Sequence, residues 1–149
     1  MRSLAAFLPT ASRFLLGLVF TVFGLAGFIH FMPDPPHPPA ARVLHDAFVT
    51  SGYLFPFIKT TEIAVGLLFL SGRYVPLALV VLAPVLLNIV AFHIFLAPGT
   101  LLIVVPLVAA AIHLAWVQRE AFAPLLRSHA PAAAPAGATE RGATAVSFR

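Results

Sequence analysis

KTTEIAVGLLFLSG, residues 59–72, places a lysine and a glutamate three positions apart at the head of an apolar run. Together with the residues before it, the run is long enough to cross a bilayer, which takes about 17–25 helical residues. An ionisable side chain at membrane depth is costly and needs a partner or a water-filled cavity. Glu62 therefore sets a condition that the rest of the chain must meet.

Composition agrees with a membrane setting. The 149 residues are 60% hydrophobic and 9% charged, and the mean hydropathy is +0.99. Soluble domains carry roughly 45–50% apolar and about 25% charged residues, so an ordinary soluble globule is excluded. The net charge of +4 comes from scattered basic residues with no basic cluster, which argues for membrane topology and against nucleic acid. There is no cysteine, which excludes disulfides, thiolate catalysis and thiolate-held metal centres. No covalent cofactor is expected.

The pattern predicts an all-α protein, an integral membrane four-helix bundle with spans at about 14–31, 54–70, 76–96 and 100–117. Residues 1–12 read as a short amphipathic lead that Arg13 interrupts; no A-x-A site follows, against a signal peptide. Residues 13–127 form the transmembrane domain, and the Ala/Pro-rich stretch 128–149 is expected to be disordered. Gly17, Thr21 and Gly24 make a small-residue stripe that lets another helix approach closely, either within the bundle or from a partner protein. Pro84 and Pro106 fall inside spans; Pro84 should kink its helix and free the carbonyl of Val80.

Between the first two spans, MPDPPHPP (32–39) holds five prolines in eight residues and imposes an extended path. Pro39 then suits the first turn of a helix over 40–51, with Ala40, Val43, Leu44, Ala47 and Phe48 on its apolar face and Gly52 as its stop. That helix is expected to lie on the membrane surface, as a lid. His37, His45 and Asp46 read as solvated, and no metal site is expected.

Arg2, Arg13, Arg73, Arg119 and Arg127 fall on one side of the membrane, against Arg42 and Lys59 on the other. The excess places both termini in the cytoplasm. At a rise of about 1.5 Å per residue, Glu62 lies roughly 9 Å inward from Pro56 and Asn88 roughly 12 Å inward from Leu96. Lys59, His30 and His93 share the same outer half. Buried polar groups must find partners, so Glu62, Asn88 and His30 or His93 are expected to point inward around a small polar pocket. The plainer reading is structural: Lys59 and His93 snorkel, and Asn88 bonds to a carbonyl freed by proline. Lys59 and Glu62, at i and i+3, are spaced to pair. A paired, ionised Glu62 suits a cation, and a neutral one suits donation to a quinone oxygen; the residues leave both open.

GFIHFMPDPP, SGYLFPFIKTTEIAVGLLFLSGRYVPLAL and LAPVLLNIVAFHIFLAPG resemble the DoxX-like family of small four-helix bacterial membrane proteins, over about Arg13 to Leu126. The Lys-x-x-Glu helix followed by the Gly-Arg turn is the most specific part. Relatives often carry Asn where Ala26 stands, which makes this pocket less polar on that side. The resemblance implies a multi-pass protein of the bacterial inner membrane, allied to DoxD-type subunits of thiosulfate:quinone oxidoreductases or to assembly of other membrane proteins. On that footing Glu62 is the expected catalytic group, with His30, Lys59, Asn88 and His93 binding a quinone. A chain without cysteine is expected to act as a quinone-interacting or accessory subunit beside another membrane or redox protein, with homo-oligomers open. The alternative is a non-catalytic assembly or scaffold factor. A solute transporter is disfavoured because no inverted repeat is evident.

Overall fold

In a computed structural model, which describes residues 2–32 and 37–126, the chain is helical and contains no strand among those residues. Residues 33–36 of the proline-rich segment and the stretch 127–149 lie outside the described residues. The helices are α1 (Arg2–Ile29), α2 (Pro39–Thr50), α3 (Leu54–Ser71), α4 (Val75–Phe95), α5 (Leu101–Val117) and the short α6 (Arg119–Phe122). Four stretches, Phe7–Ile29, Leu54–Ser71, Val75–Phe95 and Pro98–Val117, are long and apolar enough to cross a membrane.

The spans form a closed ring in which α1 packs on α3 and α5, and α4 packs on α3 and α5. The α1–α3 seam is the tightest. A Cβ on Gly17 would meet Leu70, one on Gly24 would meet Ile63, one on Gly27 would meet Lys59, and Gly66 lies against Thr21. Numbers rise along α1 as they fall along α3, so the two helices are antiparallel. The stripe at Gly17, Thr21 and Gly24 is thus filled by α3, and it offers no surface to a partner. This removes the partner-docking use of the stripe.

Two boundaries differ from the sequence reading. Residues 2–12 are not a separate lead: α1 runs unbroken for 28 residues. Arg13 does not interrupt it, because its guanidinium reaches across to the α3–α4 turn and occupies the space that a Cβ on Gly72 would need. Gly72 itself holds φ +69°, closing α3 with its N–H donated to Phe69 O at 3.1 Å, a glycine C-cap. At its other end α1 stops at Ile29, because His30 turns to φ +47° with its N–H on Ala26 O at 3.1 Å.

Pro39 opens α2 as expected, but the helix is rotated on its axis. Ala41 is fully buried, Leu44, His45 and Phe48 are half-buried, and Ala40, Val43 and Ala47 are exposed. The imidazole of His45 packs as a ring and takes an inward place at i+4 from Ala41. α2 lies against α3.

The hydrophobic core is unevenly placed. Leu16 and Phe20, Val65 and Phe69, Val75 to Leu82, and Leu107 to Leu114 form one cluster. It occupies the half of the bundle near Gly72. A hydrogen bond of 3.1 Å between Ser12 Oγ and His113 Nδ1 joins the first span to the last in that half. The other half, toward α2, carries the charged pair.

Candidate functional site

Within α3, Lys59 Nζ donates to Glu62 Oε2 at 2.8 Å. The i, i+3 spacing puts both on one helix face, as the sequence requires. Glu62 is 6% exposed, and the Lys59 side chain is 19% exposed, so the lysine is the less deeply buried partner. The lysine stem lies over Gly27, where a Cβ would come within 2.7 Å of its Cγ and Cδ. Glycine at 27 is therefore part of the site.

Above the pair lies a layer of rings. Lys59 Nζ is 5.7 Å from the centroid of Phe55, a cation–π distance. His45 of α2 meets Phe55 edge-on at 5.7 Å and lies 5.4 Å from His37. His37 in turn meets Phe92 of α4 edge-on at 6.2 Å, and Phe92 lies 5.4 Å from His93. The layer ties α2 and the residues before it to α3 and α4. Sequence reasoning set His37 and His45 aside as solvated; the inward place of His45 follows from the burial of Ala41 four residues earlier, which only the packing of α2 reveals. No three His, Asp or Glu side chains converge as a metal-ligand set among the described residues.

The other expected site residues go elsewhere. His93 donates from Nδ1 to Ile89 O at 2.8 Å, which fixes its tautomer and turns the ring back along α4. His30 is exposed where α1 ends. Asn88 is exposed on the outside of α4, because the packed stripe of that helix runs through Leu82, Val85, Leu86 and Ile89 and position 88 falls about a third of a turn away. The inward pocket of Glu62, Asn88 and histidine is therefore not formed. Lys59 and Glu62 are together; Asn88 and His30 are apart from them.

Two cavities stand out, and neither touches the pair. One is an apolar groove of about 510 Å³ between α4 and α5, running from Leu79 to Val90 and closed by Phe122. The other, about 130 Å³, lies by Arg13, Thr10 and Gln118 at the Gly72 end.

Four span-length apolar helices around an internal ion pair are the features of a multi-pass helical membrane protein. No protein-family model, curated protein or solved structure matches the chain.

Proposed function

We propose that the protein is a DoxX-like component of a bacterial inner membrane, with both termini cytoplasmic and α2 on the outer surface. Its role is that of a quinone-interacting, accessory subunit of a membrane oxidoreductase system. The observation that carries this reading is the Lys59–Glu62 pair, at 2.8 Å, beneath a layer of aromatic rings. Lys59 offers three N–H donors, of which Glu62 takes one. It is also the more exposed partner, so Lys59 is the group that would touch a carbonyl oxygen, while Glu62 holds it in place. Phe55 supplies an apolar wall beside the ammonium. A bound quinone would supply the redox couple, and a partner protein the electrons.

Neither of the two cavities reaches the pair. That observation favours the second reading, an assembly or scaffold protein in which the pair only holds the α2 end together.

Native mass spectrometry in mild detergent separates the two. On the first reading the wild type carries a quinone-sized adduct, and Lys59→Gln and Glu62→Gln each lower its occupancy about tenfold, the effect of losing one charged hydrogen bond. A wild type that is bare, or that carries only a stoichiometric partner protein, rejects the quinone role.

A further inference from the structure

At the Gly72 end, Thr10 and Arg13 of α1 and Gln118 after α5 line the cavity of about 130 Å³. Thr10 and Arg13 are i, i+3 neighbours on one helix face, and the packing of α1 on α5 brings Gln118 to them. Side-chain hydrogen bonds at this end use Ser12, His113, Ser71 and Arg119. None uses Thr10, Arg13 or Gln118. The Nε of Arg13 is buried and has no acceptor among the described residues. The close acid–base pairs there are His45–Asp46 and Lys59–Glu62, so no described carboxylate answers the guanidinium.

A donor buried without an acceptor is costly, and more so when it is charged. The fold nevertheless makes room for it: a Cβ on Gly72 would collide with the Arg13 guanidinium, so the turn is cut back where the arginine crosses it. One fixed positive charge and two neutral polar groups around a single cavity define a site for an anion. Arginine presents its N–H groups as a planar fork that matches phosphate oxygens. The Thr10 hydroxyl and the Gln118 amide add further donors. The cavity is well above the roughly 10–15 Å³ that admits a single water, so it takes a group of several heavy atoms.

The level of the cavity decides which anion reaches it. It is bounded by the α3–α4 turn at Gly72 and by Val117 and Gln118, where α5 ends. The spans leave the hydrocarbon there. Beside it Trp116 is 71% exposed, with Arg119 5.6 Å over its ring, an amphipathic pairing suited to the headgroup region. The abundant anion at that level is the phosphodiester of phospholipids. We propose that Arg13, Thr10 and Gln118 bind one phosphate group, that of a phospholipid headgroup in the leaflet on this side.

The inference rests on the membrane-spanning part of the proposed function and is independent of the quinone role, whose residues lie at the other end. Native mass spectrometry of the full chain in mild detergent tests it, with phosphatidylglycerol, diacylglycerol and inorganic phosphate added in turn. The wild type should retain one phosphatidylglycerol and no diacylglycerol. Arg13→Gln should lower that occupancy about tenfold, the loss of a charged hydrogen bond. Arg13→Lys should restore part of it, because it keeps the charge without the fork. Thr10 is exposed and Gln118 half-buried, so Thr10→Val and Gln118→Leu leave the core intact. Each should lower occupancy about threefold, the loss of one neutral hydrogen bond, and these two decide the matter if Arg13→Gln does not fold.

Diacylglycerol held as well as phosphatidylglycerol, or a lipid occupancy indifferent to these substitutions, would overturn the site. Retention of inorganic phosphate without phosphatidylglycerol would support the phosphate chemistry and overturn its lipid source. A quinone adduct differs in mass and depends on Lys59, so its absence leaves this site standing. Loss of the wild-type chain from alkali-washed membranes would overturn the spanning reading and the lipid source together.

Discussion

Lys59→Met is expected to destabilise the bundle by about 3 kcal/mol, the usual cost of leaving one member of a buried ion pair alone. Glu62 is then left within the bundle without its partner. Glu62→Leu should cost less, because the remaining lysine is the more exposed partner and its flexible stem can carry the ammonium outward. The double variant Lys59→Met/Glu62→Leu should return to within about 1 kcal/mol of the wild type, since apolar replacement of a whole buried pair is often neutral or stabilising. Unfolding of the four proteins in detergent gives the cycle. Additive losses, with no recovery in the double variant, would show that the two residues act separately.

Gly66 should be the least replaceable glycine. A Cβ there would stand 2.6 Å from the backbone nitrogen of Thr21 and 3.0 Å from the carbonyl oxygen of Gly17. Backbone cannot move aside as a side chain can, so α1 and α3 must separate. Gly66→Ala is expected to cost about 2–3 kcal/mol, at the upper end for overpacking, and Gly66→Leu to prevent the seam from forming. Gly24 comes next, with Ile63 N at 3.0 Å. Gly17→Ala and Gly27→Ala should be milder, because the nearest atoms they meet belong to the Leu70 and Lys59 side chains. Gly99 has nothing within 4 Å, so Gly99→Ala should change stability by less than about 0.5 kcal/mol. Thermal unfolding of the set checks the order; a Gly66→Ala protein as stable as Gly99→Ala would refute the close-packed seam.

The sequence makes the lengths and depths of these helices legible, but not all of their rotations. Four apolar runs and their turn residues locate the spans to within a few residues, except that α1 begins earlier. Its early start depends on Arg13 finding space at Gly72, a contact between residues far apart in the chain. The Lys59–Glu62 pair is local to one helix and could be read from its spacing. Asn88 could be given a depth but no direction, because α4 is apolar on every side and periodicity supplies no phase. Its outward position follows only from the way α3 and α5 close around Leu82 and Leu86. The same limit applies to α2, where treating His45 as solvated rotated the expected face. Gly27 escaped notice because its role is to make room for a lysine on another helix.

The Ser12–His113 hydrogen bond also imposes an order in time. Its partners lie 101 positions apart in the sequence, whereas the α1–α3 seam is complete once Leu70 has emerged. At synthesis rates of about 5–20 residues per second, roughly 5–20 s pass between the appearance of Ser12 and that of His113. Through that interval the nascent chain is a hairpin with an unanswered hydroxyl, and insertion of the last span is the event that latches the ring.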